Sequence, residues 1–200
     1  MKRFPSVILP MFLAVLFLTI STAQASEWRI DDDHSNAYFS VQHLTVSKVR
    51  GSFNKVGGTV TIDDKTGYLT GFNLTVDVNS IDTGVTKRDD DLRSANFFEV
   101  AKYPTITFVS KNVDNIGNGV LLVIGDLTIH GVTKEVTVTA YGPTPEIEDP
   151  WGNMRRGLRL GERLNRQDFG INYNKALDTG GLLIGNMVDA EADLEFTKEK

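Results

Sequence analysis

The sequence predicts an all-β protein, an antiparallel barrel of about eight strands with one short helical segment near residues 88–100. Three observations predict it. Apolar and polar residues alternate with a period of two over long stretches, above all from Phe72 to Asn79 and from Val188 to Phe196. Short turns containing glycine separate these stretches, as at Asp64-Lys65-Thr66-Gly67 and His130-Gly131. Only the segment from Arg88 to Phe108 departs from this pattern, which suits a barrel that needs a lid. A two-sheet sandwich is the competing arrangement.

The first residues point to a compartment. Lys2 and Arg3 precede an apolar run from Val7 to Ile20, and Ala23-Gln24-Ala25 has the small-x-small pattern of a signal-peptidase site. A cleaved signal peptide over residues 1–25 is therefore expected, followed by one domain over 26–200 and a periplasmic location. The apolar run is short for a spanning helix of about 20 residues, and Pro10 interrupts it. The mature protein is thus not expected to span the membrane by a helix. With no cysteine in the chain, neither a disulfide nor a lipid-modified N-terminal cysteine is available.

The strands follow in order. Ala37, Phe39 and Val41 alternate with Tyr38, Ser40 and Gln42 after a turn at Asp31-Asp32-Asp33-His34-Ser35. A break is read at Gly57-Gly58, after which Val60 and Ile62 alternate with Thr59, Thr61 and Asp63. The Asp64 to Gly67 turn joins that strand to Phe72, Leu74, Val76 and Val78 as a hairpin. Tyr103-Pro104 stops the helical segment, and Ile106 and Phe108 resume the strand pattern. Val120 to Ile124 is apolar at both parities, which predicts a strand covered on both sides. Val136, Val138 and Ala140 form the return strand. From Gly142 to Gly161 the pattern weakens, and three prolines with Trp151, Arg155, Arg156 and Arg159 read as a long loop. Arg166 to Ile171 reads as a turn entering a strand, and Val188 to Phe196 is the last strand.

Composition narrows the partners. Losing Lys2 and Arg3 takes the formal charge from -5 to -7, and no cluster of Lys and Arg offers a surface to nucleic acid. A membrane-spanning barrel needs aromatic girdles at both interfaces, whereas here the aromatics sit singly in strands or within the irregular segment. His34, His43 and His130 are scattered, with no close pair, so no metal site is expected. No nucleophile and base stand at catalytic spacing. Arg88, Asp89 and Arg93 are read chiefly as pins of a turn, with a headgroup clamp as the alternative, and Asp90 and Asp91 suit a helix N-terminus.

Several motifs taken together resemble a known family. They are Trp28-x-Ile30-Asp31 with His34-Ser35, Phe39-x-Val41-x-His43, Gly51-x-Phe53, Ser80-Ile81-x-Thr83-Gly84, Arg88-Asp89 with Leu92-Arg93-Ser94, and Phe97-Phe98. Tyr103-Pro104-x-Ile106-Thr107-Phe108, Gly125-Asp126-Leu127-Thr128-Ile129-x-Gly131-Val132-Thr133-Lys134 and Arg166-x-Asp168-Phe169-Gly170 complete the series. The chain is similar to the YceI-like family of exported proteins along nearly its whole mature length. The resemblance implies a lipocalin-like barrel whose apolar interior holds a long polyisoprenoid, such as a quinone or its prenyl precursor. It supplies no catalytic residue. One departure is Asp91, where the family often carries histidine.

The expected ligand contacts are Phe39, Val41, Phe72, Leu74, Val76, Ile106, Phe108, Ile129 and Phe169 in the barrel, with Phe97 and Phe98 from the lid. Arg88, Arg93 and His43 are the headgroup candidates. No cofactor is expected besides the lipid. The same apolar residues would fill a packed core equally well, which leaves two other readings: an enzyme acting on an isoprenoid headgroup, and a stress-response interaction protein with a filled barrel. Pairing of two copies through a strand edge or the Pro143 to Trp151 loop is also open.

Overall fold

A computed structural model describes residues 24–177 and 180–198. Residues 1–23 of the expected signal peptide lie outside them. The chain runs through β1 (Ala25–Ile30), β2 (Asn36–His43), β3 (Ser47–Phe53), β4 (Val56–Asp63), β5 (Leu69–Asp77), β6 (Ile81–Asp82), α1 (Thr86–Arg93) and β7 (Thr105–Gly117). It continues through β8 (Val120–Ile129), β9 (Val132–Tyr141), β10 (Ile147–Glu148), β11 (Met154–Asn165) and β12 (Ile184–Lys198).

Alternation decides which face of each strand is buried. On β12, Ala192, Leu194 and Phe196 are buried while Asp193 and Glu195 face outward, because successive side chains of a strand point to opposite sides. Eight strands, β1-β4-β5-β7-β8-β9-β11-β12, form an antiparallel ring. It closes where β12 meets β1, at Trp28 opposite Lys198 and Ile30 opposite Phe196. Closure removes the unpaired edges that an open sheet would expose.

The ring forks at one place. The outer edge of β12 pairs with β1 at its C-terminal end but with β2 earlier, Ala190 opposite Phe39 and Ala192 opposite Ala37. The β2–β3 hairpin thus extends the wall, and β3 goes on to pair with β6. The kink between β1 and β2 is held by Ser35, which is fully buried. Its hydroxyl donates to the Glu195 carbonyl at 3.2 Å and accepts from the Glu195 amide at 3.0 Å.

One part of the barrel is solid. Trp28, Val60, Val123, Ala140 and Phe196 are each 0–1% exposed, and the Trp28 and Phe196 rings meet edge to face at 5.8 Å. The guanidinium of Arg156 lies over the Trp28 ring, 5.5 Å from its centre.

The structure corrects several expectations. Residues 154–161 of the expected 142–161 loop belong to β11, which makes an eleven-residue ladder with β12 from Arg155–Thr197 to Asn165–Met187. Arg156 and Glu162 at the parity of Leu158, Leu160 and Leu164, and Gly157 and Gly161 at the other, hid its period. Gly57 and Gly58 lie inside β4, where Gly58 adopts a φ of 137° that a side chain rarely tolerates. Only one face of β8 is fully covered, by Leu121 and Val123, whereas Leu122 and Ile124 are half-buried. Finally, Ile171 enters no strand. Arg166–Phe169 is a 3-10 turn, and an irregular segment leads on towards β12.

The helix is also shorter than expected. It ends at Arg93, and turns carry the chain to Thr105. Its composition is almost wholly polar, so it is held by specific bonds rather than by an apolar face. Asp89, 6% exposed, accepts from the Thr83 amide at 2.9 Å and its hydroxyl at 2.5 Å. Arg93 donates to the carbonyls of Asn79 at 3.1 Å and Ile81 at 2.7 Å.

Candidate functional site: two chambers in the barrel

Beside the solid part, the barrel is hollow. An inner chamber of about 190 Å³ lies between the strands, with walls almost wholly of hydrocarbon. Phe72, Leu74 and Val76 reach it from β5, Ile106 and Phe108 from β7, and Ile129 from the end of β8. The wall formed by β2, β11 and β12 sets four small residues, Ala37, Gly161, Ala190 and Ala192, among Phe39, Leu160, Leu164 and Val188. Small side chains among larger ones leave the space that leucines would occupy.

An outer chamber of about 270 Å³ shares Phe39, Phe98, Arg166, Ile171 and Val188 with the inner one, so the two lie side by side. Val41 and His43 line it from β2, and Arg88, Asp91 and Leu92 from α1. Phe97 and Tyr173 close one side with their rings 5.0 Å apart. Phe98 sits at the junction against Phe53, edge to face at 5.8 Å. Phe39 occupies its place because its ring lies over Gly51, where an added Cβ would stand 2.5 Å from it.

The apolar residues singled out in the sequence therefore converge. Phe39, Phe72, Leu74, Val76, Phe98 and Ile106 border the inner chamber, as do Phe108, Ile129 and Phe169. Val41 and Phe97 border the outer one. Of the headgroup candidates, His43 and Arg88 line the outer chamber. Arg88 is already engaged there, its Nε donating to the Thr83 hydroxyl at 2.7 Å and its Nη2 to the Thr83 carbonyl at 2.8 Å. Arg93 borders neither chamber, being turned to backbone carbonyls of the preceding turn and to Asp90 at 3.3 Å. Asp91, the departure from the family pattern, accepts from the Asn96 amide group at 2.8 Å.

Sequence reasoning missed Arg166 as a lining residue. It is 7% exposed and borders both chambers. Burial pushes its guanidinium below the ordinary arginine range. The available signal was an arginine standing just before Phe169 and Ile171, in the segment that returns to the last strand.

The order of these elements can be set beside known proteins. Residues 28–196 match the model of the YceI-like domain. Protein YceI of Salmonella newport is 40% identical over 161 residues, which cover 80% of this chain and 83% of that relative. The chain belongs to the YceI-like family.

Solved structures agree on the fold. BcnA of Burkholderia cenocepacia superposes with a TM-score of 0.68 at 23% identity, covering 83% of this chain and 98% of the other. A polyisoprenoid binding domain from Saccharophagus degradans gives 0.63 at 18% identity, covering 88% and 100%. Among the described residues of this YceI-like chain, no helix is long and apolar enough to cross a membrane.

A second concavity lies outside the chambers. It is an open groove of about 1090 Å³, lined in part by Tyr141, Ile147, Arg155, Arg156, Arg159 and Glu195. Its arginines are committed. Arg155 binds Asp31 and Asp149, each at 2.6 Å, and also Glu195, while Arg159 binds Asp193 at 2.8 Å. With Arg156 3.5 Å from Glu146, each of the three arginines has an acid beside it, and they do not form a free anion site. Asp31, His34 and Glu195 come within ligand distance of one another, but the Arg155 guanidinium bonds to both carboxylates. Burial alone would raise the Asp31 carboxyl; the bonds from Arg155 and His34 outweigh it and hold the carboxyl below its usual range. His34 is raised in turn by its bond to Asp31 at 3.0 Å.

Proposed function

We propose that this protein is a periplasmic carrier that holds a long polyisoprenoid lipid, a quinone or its prenyl precursor, in the two chambers. The observation that carries this reading is the pair of adjoining, largely apolar chambers inside the barrel. A prenyl chain offers branched hydrocarbon and little polarity, and its burial yields roughly 25 cal/mol per Å² removed from water. Specificity then comes from length and shape, because few polar groups compete. The name given to the Saccharophagus relative, a polyisoprenoid binding domain, supports the same ligand class. Export follows from the basic start, apolar run and Ala23-Gln24-Ala25 of the first residues.

Binding rather than turnover is favoured because the polar groups at the outer chamber are few and Arg88 is tied to Thr83. The protein purified from its own envelope is expected to release a prenyl lipid into organic solvent, identified by mass spectrometry. Repeated extraction of no prenyl lipid from folded protein would overturn the reading.

A further inference from the structure

Arg166 is a charged group in a place that hydrocarbon ligands do not require. It lies at the junction of the two chambers, 7% exposed. Its Nε donates to the Gly185 carbonyl at 3.0 Å and its Nη1 to the Ile171 carbonyl at 2.6 Å. The Nη2 contacts are long, 3.5 Å to the Ile184 carbonyl and 3.4 Å to the Asn186 side-chain oxygen. All four acceptors are neutral. Among the described residues no carboxylate stands at ion-pair distance from it, whereas Arg155, Arg156 and Arg159 each have one.

A guanidinium keeps its charge and has five N–H donors. Two are well used here, two are stretched, and one is left over. A buried charge is costly unless it is paired and fully hydrogen-bonded, and among the described residues this one meets only neutral acceptors. We propose that Arg166 is the polar anchor of the ligand, donating from its outer nitrogens to an oxygen of the lipid, a carbonyl or a phosphate ester, while the prenyl chain fills the inner chamber. The inference rests on the lipid-binding reading and adds to it the chemistry of the head and its depth. The oxygen is held inside the barrel, between Phe98 and Ile171, and not at the rim by Arg88 or His43.

The test compares three probes of equal chain length: a prenylated benzoquinone, a prenyl phosphate and an oxygen-free prenyl hydrocarbon. Each is titrated into the delipidated full protein, the wild type and the variants Arg166→Met and Arg166→Lys. A hydrogen bond to a charged group is worth about 10- to 100-fold in affinity. The wild type should therefore prefer at least one oxygenated probe to the hydrocarbon by about that factor, and which one it prefers identifies the oxygen. Arg166→Met should abolish the preference while leaving hydrocarbon affinity within about threefold, and Arg166→Lys should keep part of it. Equal affinity of the wild type for all three probes, or an undiminished preference in Arg166→Met, overturns the proposal. Failure of every probe to bind overturns the lipid-binding reading itself, a distinguishable result.

Loss of Arg166 also removes bonds to Ile171 and Gly185, so Arg166→Met must be shown to unfold cooperatively. If it does not fold, the wild type alone decides the matter. The infrared carbonyl or phosphoryl stretch of the preferred bound probe should shift to lower frequency than in hydrocarbon solvent, and an unshifted band overturns the assignment.

Discussion

The two parts of this barrel are built from the same alternating strands yet do opposite things with their interior. Around Trp28 and Phe196 the inward side chains meet and exclude space, with Val60, Val123 and Ala140 at 0% exposure. Around Phe39 and Leu74 they line a cavity. The difference lies in which sizes face each other across the barrel. Large rings on β5 and β7 share the chamber with a wall of β2, β11 and β12 in which alanines and a glycine interrupt the larger side chains, and a gap is left. Alternation sets which residues point inward; the pairing of sizes decides whether they touch.

The sharpest way to break this contrast is to make the same deletion on both sides. Phe196→Ala should cost about 3–5 kcal/mol of unfolding free energy, since it opens a void in a packed region. Phe39→Ala should cost about half as much, because its ring already borders empty space and loses fewer contacts. Urea denaturation measures both, and equal losses would mean that the two regions do not differ in packing.

The reverse change comes next in size. Ala140→Leu adds bulk where there is no room and should destabilise by about 1–3 kcal/mol. Ala190→Leu adds the same bulk to the chamber wall, and stability should stay within about 1 kcal/mol. Lipid uptake by Ala190→Leu should fall at least tenfold. Retained uptake would place the lipid elsewhere on the protein.

A smaller effect concerns the ionic network outside the barrel. Asp149 receives Nε of Arg155 at 2.6 Å and the amides of Trp151 and Asn153, each at 2.9 Å. The Arg155 bond, with these amides, holds its carboxyl well below its ordinary value of 3.8. A depressed folded-state pKa gives stability that is complete above the unfolded value and is lost as the pH falls through the folded one. Asp149→Asn should therefore melt a few degrees below the wild type at neutral pH, with the gap narrowing below about pH 4. A gap that stays constant to pH 2 would contradict the assignment. The smallest effect is expected at Arg88→Ala, which loosens the turn at Thr83 and should leave lipid affinity within about twofold, as measured by titration.

Much of this was legible in the sequence, for physical reasons that differ by element. β5 and β12 were plain because each buries one face and wets the other. The chamber contacts on β2, β5 and β7 followed from those same faces. β11 was hidden because the charged Arg156 and Glu162 stand at the parity of its leucines, while glycines interrupt the other parity. The cavity was illegible because it depends on Ala37, Gly161, Ala190 and Ala192 meeting across strands far apart in the chain. Arg166 was missed for a related reason. A single arginine in a turn reads as exposed, and only Ile171 and residues 184–186, folded against it, bury the charge.

The most direct test is a crystal structure of the protein purified from its own cell envelope without delipidation. The account predicts continuous elongated density running from the ring of Tyr173 past Phe98 into the space between Phe72 and Ala190, while the region around Trp28 and Phe196 stays solid. Chambers closed by collapsed side chains, with bound lipid on the outer groove near Arg155, would contradict it.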